Sequence, residues 1–391
     1  MRGFRRRPGL EDAAVSRGRG KRKWILAGAL ALLCLLLAVP AGHVLFAVRV
    51  GLSLRKLAAG TEEPGLSVRE AKVRLPDGAR SLEALTYRPA RAPADSAVVI
   101  VAGLSELGCY HPRLVALSRI LADTGLFVVT PAIREFRTFE STAEPLRQIG
   151  FWFGKVPGLQ GGEKVRKSGL AGISFSATLA MMAAARPEIR DRVGFIVGIG
   201  PYSDLDRCAR GWFAADPRAV PKNCYPTRFY AKWIIMRAAL DRLPSASDRA
   251  FLRNVLDALL LQKDVPPAGP GLTPEGARWY ALAVMPEDRT DAALGEEIRR
   301  HLTAGLYPQL DPSGAVRRLK CPVFLVHGLY DDLIPPEESV ELHARIPRSY
   351  LLLSPFLTHT HPTDKTLSFG QKIRAVRDTV VFCYHLSRGI R

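Results

Sequence analysis

Three side chains of the sequence have the types and the placement that acyl-transfer chemistry requires. Ser174, Asp331 and His359 each follow a run of apolar residues, and they occur along the chain in that order. A serine hydroxyl is a weak nucleophile until a neighbouring base accepts its proton. A histidine can take that proton and return it to the leaving group, while a buried carboxylate orients the imidazole. The three residues therefore predict a catalytic triad.

Alternating strand and helix signals place these side chains at one edge of a sheet. The predicted strands are a hairpin of 67–78 and 82–90, followed by 96–103, 126–133, 168–174, 192–201, 322–328 and 349–355. Helical patterns occupy 111–125, 143–156, 175–188 and 372–389. This alternation predicts an α/β fold with a mostly parallel sheet and helices on both faces. Catalytic groups gather at the carboxyl ends of such strands, where the three side chains fall.

The pattern changes between residues 202 and 320. This stretch contains amphipathic helical signals, such as TRFYAKWIIMRAALDRL and DRAFLRNVLDALLLQ, and no convincing strand. We therefore expect a largely helical cap inserted between two late strands of a single domain over 67–391. The large apolar residues of the cap favour core packing. The alternative is that part of this surface lines a pocket for an acyl chain.

These motifs resemble those of the α/β-hydrolase family, and the resemblance covers about Leu66 to Arg391. GISFS is similar to the family's nucleophile elbow, a sharp turn that needs small residues two positions before and after the serine. Gly172 and Ser176 meet this need for Ser174. Taking Ser176 as the nucleophile would put Ser174 and Thr178 at those positions. The resemblance implies that Ser174 is the nucleophile, with a serine in place of the usual second glycine.

The acid and the base are implied by two further motifs. HGLYDDLIP is similar to the family's acid loop, in which the carboxylate lies four residues after a histidine and four before a proline. Asp331 has this spacing from His327 and Pro335, whereas Asp332 does not. LTHTHP is similar to the loop that carries the catalytic histidine. His359 is nearer the last strand and is preferred as the base, with His361 as the alternative.

The resemblance also implies an oxyanion hole made by two backbone N–H groups. One belongs to the residue after the nucleophile, which is Phe175. The other lies in the loop VAGLSELG after the third strand, and its position assigns it to Leu104. Ala102 stands where the family commonly has a histidine, so this loop matches less closely than the elbow does.

The expected function is that of a serine hydrolase, with a carboxylic-ester hydrolase favoured. Such a mechanism uses water as the second substrate and implies no cofactor. A small-molecule or lipid-like ester is the expected substrate. A peptidase or an acyltransferase would keep the same triad, and a non-catalytic ligand-binding homologue would keep only its pattern. The sequence does not give the oligomeric state.

The first 66 residues have a composition of their own. Residues 1–23 carry nine Lys and Arg against Glu11 and Asp12, and the apolar run 24–48 that follows is long enough to cross a bilayer. We expect a basic cytoplasmic leader, a single transmembrane anchor and a linker over 49–66, with the catalytic domain on the non-cytoplasmic side. The alternative is a signal peptide cleaved near Ala41, which would give a secreted protein.

Other partners are disfavoured by composition and spacing. The net charge is +19, but beyond the leader the basic residues are scattered, with no basic helix interleaved with aromatics, so we expect no nucleic-acid partner. The cysteines lack C-x-x-C spacing and no H-E-x-x-H motif occurs, so no metal is expected. Unpaired thiols are favoured over a disulfide between Cys208 and Cys224. The arginine- and alanine-rich composition favours a bacterial source.

Overall fold

A computed structural model describes residues 66–213, 225–269, 271–284, 291–331, 333–357 and 367–390. The described residues form one sheet of eight strands in the order β1-β2-β4-β3-β5-β6-β7-β8. The strands are β1 (Val68–Asp77), β2 (Arg80–Pro89), β3 (Ser96–Val101), β4 (Leu126–Pro131), β5 (Lys167–Ile173), β6 (Val193–Ile199), β7 (Val323–Gly328) and β8 (Ser349–Ser354).

Twelve helices accompany this sheet in the described part of the chain. They are α1 (Pro112–Asp123), α2 (Arg134–Arg137), α3 (Glu144–Lys155), α4 (Phe175–Ala184), α5 (Leu205–Phe213), α6 (Tyr225–Ala238), α7 (Ala246–Leu260), α8 (Pro274–Val284), α9 (Ala292–Gly305), α10 (Ser313–Val316), α11 (Glu337–Arg345) and α12 (Phe369–Ile390). The predicted α/β architecture with a mostly parallel sheet is confirmed, whereas the single turn α2 and the helix α11 between β7 and β8 were not predicted.

The sheet is antiparallel only at one edge. β1 and β2 form a hairpin, β2 pairs antiparallel with β4, and all remaining pairs are parallel. Four parallel strands are aligned in one row, in which Ile173 of β5 pairs with Ile199 of β6, Ile199 with Val326 of β7, and Val326 with Leu352 of β8. The segments that leave these strands therefore emerge along one edge of the sheet.

Successive side chains of the central strands point to opposite faces of the sheet, and both faces are buried. In β3, Val99 and Val101 belong to a core shared with α3, α4 and the helices after β6, whereas Val98 and Ile100 belong to a core shared with α1 and α12. All six residues of β3 and all six of β4 are buried. A continuous apolar run is the pattern expected of a parallel strand that is covered on both faces.

All regular elements described between β6 and β7 are helical, and this segment is called the helical insertion. Its first helix, α5, packs against α6 and α9, and α7 packs against α6 and α8. The indole nitrogen of Trp212 in α5 donates to the Leu333 carbonyl at 2.7 Å. The insertion therefore contacts the segment after β7, which is the segment that carries Asp331.

The expected leader, anchor and linker lie outside the described residues apart from residue 66. No helix that the structure describes is long and apolar enough to cross a membrane. Cys208 is a buried free thiol, and burial raises its pKa well above the ordinary value. Cys224 lies outside the described residues.

The close approach of β5 and β6 at Gly169 yields a test of the packing. A Cβ at Gly169 would lie 2.3 Å from the ring of Phe195, a fully buried residue. We expect Gly169→Ala to reduce the free energy of unfolding by about 1–3 kcal/mol, because neither the strand nor the ring has room to move. Urea unfolding of the full chain measures the effect.

Gly150→Ala is the matched control, because Gly150 lies in α3 and a Cβ there meets no atom within 4 Å. The better helix propensity of alanine should leave stability unchanged or raise it by up to ~1 kcal/mol. Equal effects of the two substitutions would contradict the assigned packing of β5 on β6.

Candidate functional site

Ser174 occupies a strained turn between β5 and α4. Its backbone angles are φ 60° and ψ −131°, a region that residues with a side chain rarely adopt. Such a conformation costs about 1–3 kcal/mol and persists only where the surrounding structure imposes it. The turn directs the chain from the carboxyl end of a buried strand straight into a helix, with Ser174 at the point of reversal.

Gly172 is required for this turn because the following helix passes directly over it. A Cβ at Gly172 would lie 2.4 Å from the Ser176 carbonyl oxygen and 2.6 Å from the Ala177 Cα. Both are backbone atoms that no rotamer change can move. The implied role of Gly172 in the elbow is thus explained by close contact between β5 and α4.

Ser176 does more than supply a small side chain. Its fully buried Oγ accepts a hydrogen bond from the Ile173 N–H at 3.0 Å and lies 2.9 Å from the carbonyl oxygens of Val101 and Ile173. The hydroxyl therefore links the elbow to the end of β3. The sequence offered a signal for this role, since a serine stands where the family pattern has a second glycine.

The loop after β3 lies beside the elbow. A Cβ at Gly103 would be 3.3 Å from the Ile173 carbonyl oxygen and 3.7 Å from the Ser174 Cβ. The next residue, Leu104, accepts a hydrogen bond at its carbonyl from the Tyr230 hydroxyl at 2.8 Å. Of the two residues assigned to the oxyanion hole, Phe175 follows Ser174 in the chain, and Leu104 follows Gly103, whose Cβ position lies 3.7 Å from the Ser174 Cβ.

Asp331 is held in a compact loop after β7. Its carboxylate oxygen Oδ1 accepts from the N–H groups of Leu333 and Ile334, each at 2.9 Å, and its side chain is 4% exposed. Oδ2 lies 3.4 Å from Nε2 of the fully buried His327. The loop thus fixes one oxygen of the carboxylate with two backbone donors.

His327 supports this loop from beneath. Its Nε2 lies 2.9 Å from the Ile334 carbonyl oxygen, and its Nδ1 lies 2.6 Å from the Ser339 hydroxyl. A carbonyl oxygen only accepts, so Nε2 carries a proton. One ring nitrogen therefore contacts the loop at Ile334 and the other contacts Ser339 of α11, so His327 holds the loop that carries Asp331.

A buried carboxylate on α11 joins the acid loop to the helical insertion. Oε2 of Glu338 accepts from the Ser203 N–H and hydroxyl, both at 2.8 Å, and from the Asp204 N–H at 2.9 Å. Oε1 accepts from Arg207 Nε at 2.6 Å. Burial raises the pKa of Glu338, but the hydrogen bonds from Arg207, Ser203 and Asp204 outweigh it and leave the pKa below 4.5. The sequence analysis did not identify this residue.

The parallel register brings the serine and the aspartate to one edge. Ser174 follows β5 directly and Asp331 follows β7, with only β6 between these strands. Strands two places apart are separated by about 10 Å, a gap that one bridging side chain fills. His359 and His361 lie outside the described residues, so their roles and the choice between them stay predictions. No cluster of metal-ligating side chains occurs in the part of the chain that the structure describes.

Comparison with known proteins gives likenesses of fold. No family model and no curated protein matches the chain. Acylaminoacyl peptidase from Pyrococcus horikoshii aligns at 14% identity and TM-score 0.46, over 83% of this chain and 42% of that one, so the chain spans about two fifths of its length. Est1E from Butyrivibrio proteoclasticus aligns at 16% identity and TM-score 0.46, over 82% and 98% of the two chains. A cold-adapted esterase from an Arctic intertidal metagenomic library aligns at 11% identity and TM-score 0.42, over 85% and 98%.

Similarities at these sequence identities and TM-scores give no information about the substrate. The resemblance to α/β-hydrolases therefore rests on the three motifs and on the architecture of the chain itself. The eight-stranded, mostly parallel sheet and the strained serine between β5 and α4 are consistent with that fold.

The strain at Ser174 predicts a gain in stability when the side chain is removed. Glycine adopts a positive φ without steric cost, so we expect Ser174→Gly to raise the free energy of unfolding by about 1 kcal/mol, after allowance for the extra freedom of the unfolded chain. Ser174→Ala keeps the Cβ and should change stability by less than ~0.5 kcal/mol. Thermal unfolding of the two variants makes the comparison, and equal stabilities would show that the turn is not strained.

The hydrogen bonds of Glu338 predict a pH-dependent loss of stability in Glu338→Gln. Removing the charge leaves Arg207 without its buried partner, and we expect a loss of roughly 3 kcal/mol at neutral pH. Because the folded-state pKa is depressed, the ionised carboxylate stabilises the fold fully above pH 4.5, and this contribution is lost as pH falls through the folded pKa. The difference in the free energy of unfolding between wild type and variant should therefore decrease below pH 4.5.

The exposed neighbour Glu337 provides the control for this experiment. Glu337→Gln should change stability by no more than ~0.5 kcal/mol at neutral pH. Urea unfolding across the acid range measures both variants. If the loss of unfolding free energy in Glu338→Gln stayed constant with pH, the assigned hydrogen bonds of Glu338 would be contradicted.

Proposed function

We propose that this chain is a serine hydrolase that cleaves carboxylic esters through an acyl-enzyme on Ser174. The observation that carries the proposal is the strained backbone of Ser174 at the carboxyl end of β5. Strain of this kind is retained at functional sites, where it presents a side chain that an unstrained turn would not present. A packing role for Ser174 would not require a positive φ.

In the first half-reaction, the Ser174 oxygen attacks the ester carbonyl carbon while His359 takes the hydroxyl proton. The negative charge that develops on the carbonyl oxygen is stabilised by the N–H groups of Phe175 and Leu104. The carbon–oxygen bond to the alcohol then breaks, and His359 returns the proton to the departing alkoxide. In the second half-reaction, water attacks the acyl group with the same proton transfers, and Ser174 is released.

Asp331 is assigned to orient His359 and to stabilise its cation. This assignment is supported by its buried side chain and by the two N–H groups that hold Oδ1 and fix the carboxylate in the loop after β7. The separation of β5 from β7 by one strand is the spacing that a bridging imidazole requires. No metal or cofactor enters these steps.

An apolar wall beside the oxyanion loop supports an ester with an apolar group as substrate. Leu104 packs against a cluster centred on Phe139, Ile234 and Leu260, together with Trp233 and Tyr230. Most of this cluster belongs to the helical insertion. The centre of this cluster is buried core, and its partly buried members beside Leu104 favour acyl chains or aryl groups over a charged substrate.

The apolar run 24–48 is proposed as the membrane anchor, with the catalytic domain on the non-cytoplasmic side. The nine cationic residues that precede the run support this orientation. Such an anchor would hold the domain close to lipid-like esters.

Labelling by a fluorophosphonate probe tests the proposal, because the probe reacts only with an activated serine. We expect the full chain to be labelled, Ser174→Ala to lose labelling completely, and His359→Ala to lower its rate by at least about 10³-fold. His361→Ala should keep the rate near that of wild type. Gel fluorescence over time measures all four proteins.

Ser176→Ala and circular dichroism provide the controls. Ser176→Ala keeps the nucleophile and should still be labelled if the protein folds. A folded wild-type chain that is not labelled would overturn the proposal in favour of a ligand-binding homologue. Hydrolysis of p-nitroanilides at rates equal to those for the matching p-nitrophenyl esters would favour a peptidase.

A further inference from the structure

The first half of the last helix carries an apolar stripe that faces away from the sheet. Phe369, Ile373, Val376 and Val380 of α12 recur at spacings of four, three and four residues, so they share one helix face. They are 79%, 55%, 56% and 55% exposed, respectively. These four residues are called the α12 stripe below.

The α12 stripe is distinct from the face by which the helix packs on the protein. Ala375, Phe382 and Ile390 are the buried apolar residues of α12, and Phe382 and Ile390 belong to the core on that side of the sheet. The Ile390 carbonyl accepts from the Ser96 hydroxyl at 2.9 Å, which fixes the end of α12 at the start of β3. The helix therefore has a second apolar face that remains exposed among the described residues.

Cationic side chains flank this face. Lys372, Arg374 and Arg377 are exposed in the same turns of the helix, and Asp378, paired with Arg377 at 2.7 Å, is the only acid between Phe369 and Val381. An apolar stripe bordered by long cationic side chains is the signature of a helix that lies in the interface of a bilayer. The cations extend to the lipid headgroups while the stripe enters the acyl boundary.

We infer that the α12 stripe docks on an anionic lipid surface. Charge complementarity selects this occupant over a second copy of the chain. Two copies packed through the stripe would face each other with Lys372, Arg374 and Arg377, whereas paired helices place opposite charges beside an apolar seam. The excess of cations over acids in the whole chain, 56 against 37, favours an anionic surface further.

Docking through this face would also orient the candidate site. α12 ends beside the start of β3, so it runs antiparallel to the strands, and its Phe369 end lies toward the carboxyl edge of the sheet. Ser174 and Asp331 follow strands that end at that edge. A membrane that contacts the stripe would thus lie on the side of the molecule from which an ester in the bilayer could reach the site.

A fluorophore placed in the stripe tests this inference independently of any enzymatic activity. Val376→Cys is labelled with nitrobenzoxadiazole in the full chain, with Cys34, Cys224 and Cys383 replaced by alanine, and is reconstituted into phosphatidylcholine discs with or without about 30% phosphatidylglycerol. We expect strong quenching by doxyl lipids and protection from aqueous iodide in the anionic discs. Adding Lys372→Gln and Arg377→Gln should weaken the docking equilibrium by about thirtyfold.

Gln371→Cys, on another exposed face of the same helix, is the matched control and should stay accessible to iodide. A label at 376 that remains accessible to iodide in anionic discs would overturn the inference. Protection of the label from iodide without doxyl quenching would also overturn the inference, because the stripe would then be covered by protein. That protein would be a second copy of the chain if the protection falls on dilution. It would be another segment of the same chain if the protection does not change on dilution. Equal doxyl quenching at 371 and 376 would exclude docking through the stripe.

Discussion

The contact between the backbone of α4 and the end of β5 is the constraint on which the candidate site depends. Helix and strand approach so closely that residue 172 has no room for a Cβ, and the chain reverses at Ser174 with a positive φ. The buried Ser176 hydroxyl then ties the turn to Val101 and Ile173. The energy stored in the Ser174 backbone is offset by these hydrogen bonds and by the burial of α4, of whose ten residues nine are buried. Stability elsewhere in the fold therefore sustains the strained backbone of Ser174.

The parallel register of the sheet fixes the position of the other candidate residues relative to Ser174. Because one row runs from Ile173 through Ile199 and Val326 to Leu352, a fixed elbow on β5 fixes where the loops after β7 and β8 begin. The acid loop then uses local hydrogen bonds to place Asp331, with His327 beneath it. Catalytic geometry in such a fold is thus set by the sheet at its base and by short loops at its edge.

Much of this arrangement is encoded locally and could be read from the sequence. Continuous apolar runs such as 96–101 identify buried strands, and the spacings around Ser174 and Asp331 predict a tight turn after β5 and a loop after β7. Contacts between distant segments left no such pattern. Tyr230 reaches Leu104 across 126 positions and Glu338 reaches Ser203 across 135, so neither pairing follows from periodicity or spacing. The identity of Glu338 gave no signal either, since a glutamate in the first turn of a helix is usually exposed and interacts with the helix dipole.

These distant contacts give the helical insertion a structural role beside the site. Tyr230 binds the loop of Leu104, Trp212 binds the loop of Asp331, and Arg207 joins α5 to Glu338. Each contact comes from the insertion; one ends on the segment after β3 and the other two end on the segment after β7. An insertion held at three such points cannot move away from the sheet as a rigid body without breaking these partly or fully buried hydrogen bonds. Breaking each bond costs about 1–3 kcal/mol when a partner is left unpaired. Under the proposed function, the residues of the insertion beside the site are therefore coupled to Asp331 and to the loop of Leu104. Substitutions in them should then alter the catalytic rate as well as substrate binding.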